Sequence, residues 1–251
     1  LPACGGATLE QRWFAHREDR SLLVYEMELL PPTGGAQPTS ATPCTVRLGS
    51  CNQPNSTAMD TLTRSFDEVS GVETRLLRTR VPESNQTELV TVAQHFERVP
   101  QLITMSGPTA EKQRLRSYIA AIRTSLPAEG ALNHKNPEAA AARDYAAGKN
   151  QSVGALRQRH TGAWEDLRRS RLEVGVAGQP NATTVAVSAA VNSSYYYLLS
   201  SIRADWPGSY GTSPGGLANS AYEGHTFWDS EEWCVSIAVL SAHTHARART
   251  H

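Results

Sequence analysis

Between Asp205 and Trp233 the chain reads D-W-P-G-S-Y-G-T-S-P-G-G-L-A-N-S-A-Y-E-G-H-T-F-W-D-S-E-E-W. No other stretch concentrates glycine, proline, aromatic rings and carboxylates to the same degree. Those residue types together are what a sugar site uses. Rings stack on the apolar face of a pyranose, carboxylates accept its hydroxyls in charge-assisted bonds, and glycines let the backbone approach closely. Glu231 and Glu232 follow Asp229 at once. Carboxylates so close on one element do not flank a scissile bond from opposite sides, so they are not assigned as an acid–base pair.

Other chemistries find no support. The sequence has no H-E-x-x-H, no phosphate loop ending in Gly-Lys-Ser/Thr and no C-x-x-C, which removes the common zinc-protease, nucleotide and cysteine–zinc signatures. Gly215 and Gly216 lack the strand–turn–helix setting of a dinucleotide site. His243, His245 and His251 alternate with arginine near the end of the chain, and are read as an exposed tail rather than a metal site. No cofactor and no metal are expected.

Two features bear on the compartment. Five asparagines stand in N-x-[ST] sequons, Asn55, Asn85, Asn150, Asn181 and Asn192, against about two expected by chance at this Ser/Thr content. Cys44 and Cys51 flank the short segment P-C-T-V-R-L-G-S-C and are spaced to close a small disulfide ring, with free thiols as the competing reading. Sugars on surface loops and a disulfide fit a secreted, lysosomal or vacuolar protein. The 24 basic and 24 acidic residues cancel, and without a broad positive field a general nucleic-acid binder is excluded. No apolar run approaches the roughly 18–20 residues of a membrane span.

The elements that carry these residues fall into three blocks. Residues 1–130 read as an antiparallel β-sandwich. Its strands are Ser21–Leu29, Thr45–Leu48, Gly71–Val81 and Glu88–Phe96, separated by Pro, Asn, Ser and Gly clusters. Residues 131–180 read as a helical linker. One helix opens at Pro137 in an alanine-rich run; the next places Val153, Leu156, His160, Trp164 and Leu167 on one face at spacings of three and four. The arginines at 157, 159, 168, 169 and 171 are read as its solvated face. Leu172–Val176 is read as a short strand. From 181 a helix runs through Thr183–Arg203, apolar nearly all round, as expected of a helix packed among others.

The order of motifs resembles glycoside hydrolase family 65, which holds acid trehalases, disaccharide phosphorylases and glucosidases acting on glucosylgalactosyl-hydroxylysine. The resemblance is carried by S-P-G-G-L at 213–217 and G-H-T-F-W-D at 224–229, preceded by H-T-G-A-W-E-D-L at 160–167 and S-S-Y-Y-Y-L-L-S-S at 193–201. Q-R-W-F-A-H-R at 11–17 and S-L-L-V-Y-E at 21–26 extend it weakly to the start. It implies a multidomain β + α chain: an N-terminal antiparallel β-sandwich, a helical linker and, over 181–251, the first helices of an incomplete (α/α)6 barrel. It implies an inverting enzyme that releases glucose from an α-glucoside, with glucosylgalactosyl-hydroxylysine of collagen-like proteins as the first substrate and trehalose or a phosphorylase substrate as alternatives. In the family the Trp-Asp pair that matches Trp228 and Asp229 lines the glucose subsite, with the aspartate holding hydroxyls and the ring forming a wall. The competing reading makes Trp228 a core ring and Asp229 a helix cap.

The chain departs from the pattern in one respect. The family's general acid is a glutamate further along the barrel, its base or phosphate loop further still, and neither has a counterpart in these 251 residues. After Trp233 the sequence C-V-S-I-A-V-L-S-A-H-T-H-A-R-A-R-T-H reads like a shifted frame or an alternative end. The expectation is that the 251-residue chain alone hydrolyses nothing and is at most a carbohydrate-binding remnant.

Overall fold

The computed structural model describes residues 7–30, 43–49, 57–82, 89–105, 115–126, 135–152, 154–168 and 181–201. The chain divides into two compact units, Leu1–Ala163 and Trp164–His251.

Among the described residues of the first unit, eight strands build two antiparallel sheets. They are β1 (Thr8–Ala15), β2 (Leu22–Leu30), β3 (Cys44–Arg47), β4 (Met59–Asp67), β5 (Val72–Thr79), β6 (Thr91–Glu97), β7 (Leu102–Met105) and β8 (Leu115–Thr124). Six pair in the order β1-β2-β8-β6-β5-β4, and β3 pairs with β7. The expected antiparallel β region is present, and the four expected strands coincide with β2, β3, β5 and β6. β1, β4, β7 and β8 were not anticipated. The β4 sequence M-D-T-L-T-R-S-F-D is exposed at almost every position, so no apolar alternation marks it. A register shift between Thr61 and Thr63 breaks its period as well.

β2, next to edge strand β1 in the large sheet, contributes to a core on each of its faces. Leu22 and Val24 face Ala93, Ile119, Ala121, Ala141 and Leu156 in one core. Met27 and Leu29, of opposite parity, face Ala7, Cys44, Val46, Ile103 and Met105 in the other. The first core joins the large sheet to helices α1 (Pro137–Lys149) and α2 (Ala155–Arg168), and the second joins it to β3 and β7. Cys44 is disulfide-bonded; Cys4, Cys51 and Cys234 lie outside the described residues.

α1 starts where the sequence places it. Pro137 occupies the first turn, where its missing N–H costs nothing, and the Asn136 side chain accepts from Ala139 N at 3.0 Å, satisfying one of the free N-terminal donors. Its sheet-facing residues are small, Ala140, Ala141 and Gly148, which brings the backbone close to β2 and β8. A Cβ on Gly148 would lie 3.1 Å from Leu22 Cδ1. α2 buries Leu156 and Trp164, two members of its expected apolar face, with His160 half-buried between them.

In the second unit α3 (Ala182–Ser201) matches the expected helix in extent. Asn181 caps it reciprocally: its Oδ1 accepts from Thr184 N, and Thr184 Oγ1 accepts from Asn181 N, each at 2.9 Å. The all-round burial expected of α3 is not found. Among its described side chains only Leu199 is buried, while Val185, Val187, Tyr196 and Tyr197 are about half exposed. Tyr196 packs tilted against Trp164, with ring centroids 4.9 Å apart. The strand expected at Leu172–Val176 and any barrel beyond residue 201 lie outside the described residues.

Candidate functional site

Trp228 and Asp229, with the surrounding Gly-rich stretch, lie outside the described residues, as do Asn55 and Asn85. The other three sequon asparagines are exposed: Asn150 at the end of α1, Asn181 at the start of α3 and Asn192 within α3.

Among the described residues of the first unit, three groups of side chains on and around β1 and β2 carry chemistry. The first is a pair of carboxylates on the helix-facing side of β2. Glu26 and Glu28 are two residues apart, so the pleat points both the same way. Glu28 accepts from Arg12 Nη1 of β1 at 2.8 Å and from Arg157 Nη1 of α2 at 3.3 Å. Burial acts to raise its pKa, but the bonds and charges of these two arginines outweigh burial and the net shift is downward. Glu26 is 1% exposed, its Oε2 has no hydrogen-bond donor among the described residues, and Arg157 Nε stands 3.6 Å away. Burial, opposed by Arg157 and Arg12, pushes its pKa up. Two neighbouring carboxyls with pKa values driven apart is the pattern of an acid–base pair. Here, however, both sit under α2 and answer to its Arg157, which makes them a fastening between sheet and helix.

The second group extends that fastening. His16 is buried, its Nδ1 accepts from Asp19 N at 2.9 Å, and its Nε2 lies 2.9 Å from the Leu156 carbonyl. One nitrogen accepting requires the other to donate, so His16 is the neutral Nε2–H tautomer. His160 of α2 accepts from Arg17 N through Nδ1 at 3.3 Å and packs on Phe14 at 4.6 Å. Burial, aided by the charges of His16 and Arg17, lowers its pKa. Arg159 grips Asp19 through two nitrogens, at 2.8 and 3.2 Å, and Glu18 at 2.9 Å. The arginines read from sequence as a solvated face are thus partly committed: Arg157 and Arg159 tie α2 to the β1–β2 hairpin.

The third group lies on the opposite side of the sheet. Trp13, Tyr25 and Tyr118 are direct cross-strand partners on β1, β2 and β8. Their rings stack in a row, with centroids 5.0 and 6.1 Å apart and planes 14° and 25° from parallel. The Tyr25 hydroxyl donates to Gln11 Oε1 at 2.9 Å. Beside the row is a groove of about 360 Å³ floored by Leu23, Ala120 and Phe96 and closed by Val99. Trp13 ends the row on edge strand β1, 68% exposed. One of its faces is held by Tyr25, and a ring held in that way needs little further ordering to stack on a sugar.

No family model matches the chain. Over 245 residues it is 32% identical to the protein-glucosylgalactosylhydroxylysine glucosidase of Dictyostelium discoideum, a match covering 96% of this chain and 30% of that protein. The enzyme of the same name from Gallus gallus is 28% identical over 249 residues, covering 96% of this chain and 32% of the other. A kojibiose hydrolase of Mucilaginibacter mallensis is 37% identical over 90 residues, 36% of this chain and 12% of that one. This chain is a homologue of these glycosidases. It spans about a third of the length of the glucosidases it matches.

Among the described residues the stacked row is the feature whose geometry suits a sugar ring. It escaped the sequence reading because its members are distant in sequence: residue 13, residue 25 and residue 118. Only the register aligns them. The one signal available was the strand period of two, which puts Tyr25 on the same face as Leu23 and Met27. No helix of the described residues is long and apolar enough to cross a membrane.

Proposed function

We propose that this chain belongs to a family 65 inverting glycoside hydrolase that releases glucose from an α-glucoside, with glucosylgalactosyl-hydroxylysine as substrate. The observation that carries the reading is similarity along 96% of the chain to glucosidases named for that substrate. Inversion requires one carboxylic acid to protonate the leaving oxygen while a base activates water on the opposite face of the sugar. Trp228 and Asp229 are the proposed walls of the glucose subsite, and the N-terminal β-sandwich is the scaffold for an (α/α)6 barrel. The proposed compartment is the secretory route or a lysosomal or vacuolar lumen. Exposed Asn150, Asn181 and Asn192 and the disulfide at Cys44 support it.

The test is glucose release from glucosylgalactosyl-hydroxylysine by the protein that carries this chain, followed by NMR of the first anomer formed. β-Glucose is expected, and Asp229→Asn should abolish glucose binding. α-Glucose as the first product would overturn inversion, and unchanged affinity in Asp229→Asn would overturn the subsite. Trehalose or kojibiose cleaved in its place would move the substrate within the family. Glucose phosphate formed on adding inorganic phosphate would make the protein a phosphorylase. A second reading, a module that binds carbohydrate without cleaving it, is favoured by the stacked row of Trp13, Tyr25 and Tyr118, whose outer ring is 68% exposed. It requires sugar binding with no turnover of any α-glucoside.

A further inference from the structure

The groove on the helix-free side of the large sheet continues into a charged cluster whose composition is unusual for a sheet surface. Leu23, Ala120, Phe96, Glu73 and Phe66 form one cross-strand row from β2 through β8, β6 and β5 to β4. Direct cross-strand partners share a face, so the floor of the groove and Glu73 lie on the same surface. Glu73 is 1% exposed and accepts from three arginines through their Nε atoms: Arg64 at 2.7 Å, Arg75 at 2.5 Å and Arg98 at 2.5 Å. Two of those guanidiniums also lie over aromatic rings, Arg98 on Phe66 at 3.7 Å and Arg75 on Phe96 at 5.0 Å.

One carboxylate cannot neutralise three guanidiniums, so the cluster carries a net charge of about +2. Its negative member is at the bottom. Its positive members keep 56%, 36% and 44% of their side chains in solvent. The bonds to Glu73 and the stacking on Phe66 and Phe96 fix the direction of each fork before any ligand arrives. Preorganised guanidiniums are the usual answer to planar or tetrahedral anions. Phe96 belongs both to the groove and to this cluster, which makes the apolar and cationic parts one continuous surface.

We propose that this surface binds an acidic oligosaccharide, with its sulfate or carboxylate groups on Arg64, Arg75 and Arg98 and a sugar ring stacked on Trp13. Trp13 on β1 and Glu73 on β5 are four strand spacings apart, about 19 Å at roughly 4.8 Å per spacing, so the ligand is a short chain and not a single sugar. The acidic character follows from charge complementarity with the cluster. The sugar character follows from the exposed, pre-stacked indole at the other end. An acidic peptide is less suited, because peptides join a sheet through its edge hydrogen bonds and this surface is on the face. An oligonucleotide needs a basic track along its backbone, whereas this chain has zero net charge and the three arginines gather on a single carboxylate. The inference does not depend on the glucosidase reading, since the bound polymer need not be cleaved.

The test is calorimetric titration of the full 251-residue chain with a sulfated heparin oligosaccharide at low salt. An uncharged dextran oligosaccharide, poly-glutamate and a single-stranded oligonucleotide of matched charge serve as controls. Heparin should bind, with a slope of log affinity on log salt of about −2, and the controls should bind at least roughly tenfold more weakly. Arg75→Gln with Arg98→Gln should weaken binding tenfold or more and flatten the salt slope, while Arg64 still partners Glu73. Trp13→Ala should cost several-fold for heparin without altering the slope. Unfolding curves of both variants identify any that fail to fold, and Arg98→Lys, which keeps the charge but loses the fork, should bind at an intermediate level. No binding by the unaltered chain would overturn the proposal, and so would binding that survives the double substitution. Equal binding of poly-glutamate or the oligonucleotide, with no effect of Trp13→Ala, would overturn the sugar part.

Discussion

The Glu73 cluster makes a stability prediction that can be worked out in numbers. Burial alone would raise the Glu73 carboxyl, but hydrogen bonds from Arg64, Arg75 and Arg98 and the charge of Arg75 win, and its pKa is lowered from 4.5 to about 2. At 1.36 kcal/mol per pKa unit that difference corresponds to about 3 kcal/mol of native-state stabilisation at neutral pH. Between 36% and 56% of each arginine side chain remains in water, and solvent screening reduces the figure to about 1–2 kcal/mol. Because the folded value is the lower one, the contribution is complete above about 4.5 and is lost as the pH falls towards 2. Glu73→Gln removes the charge, keeps the shape and leaves three guanidiniums facing one another. It should therefore destabilise the chain by about 2 kcal/mol at pH 7. Its stability should also change less than the parent's between pH 4.5 and pH 2, so that the two curves converge in acid. Urea unfolding followed by far-ultraviolet circular dichroism at a series of pH values measures both quantities. Equal stability at pH 7, or parallel curves down to pH 2, would refute the reasoning.

Three other outcomes follow from the packing. Leu156→Ala removes a side chain that is 4% exposed in the sheet–helix core, and should cost about 2–4 kcal/mol in denaturant unfolding. Gly148→Ala sets a Cβ 3.1 Å from Leu22 Cδ1 and 3.4 Å from Ile119 Cδ1; overpacking there should cost about 1–2 kcal/mol and lower the thermal midpoint. His160 has a folded pKa below its ordinary 6.5, so its contribution is complete above that value and is lost as the pH falls through the folded one; His160→Phe should lower stability at neutral pH but weaken the acid dependence below pH 6, as read by thermal unfolding against pH.

The sequence was most informative where the structure is local. Asn136–Pro137 and the alanine run define α1 within one turn of chain, because a cap, a proline and helix formers act over four residues. β2 was legible from its alternation, although Glu26 and Glu28 within it face the helices and are buried. The pattern supplies the parity of a position and not what covers it. β4 and β8 were illegible for different reasons. β4 is an edge strand with little to bury. β8, L-R-S-Y-I-A-A-I-R-T, has both of its faces partly covered, so its apolar residues run without a clean period. The ends of the fastening are further apart still: Arg159 meets Asp19 across 140 residues, a pairing that no spacing rule anticipates. The sugar-type stretch after Asp205 was recognised by composition and motif order, with no help from the described fold.

The net charge illustrates what composition can and cannot decide. Twenty-four cations against 24 anions removes long-range attraction to a polyanion, since that field sums over the whole surface. Binding at contact depends on how charges are grouped, and the sheet register groups them unequally here. On the helix side, Glu26 and Glu28 face Arg12 and Arg157, two against two. On the other side one glutamate faces three arginines. The surplus of positive charge exists only because β4, β5 and the chain after β6 bring residues 64, 75 and 98 to one carboxylate. A chain of zero net charge can therefore carry a specific anion site without a general affinity for anions. Only a ligand that reaches both the cluster and the Trp13 row benefits from the whole surface, and that double requirement is what separates an acidic glycan from a bare polyanion.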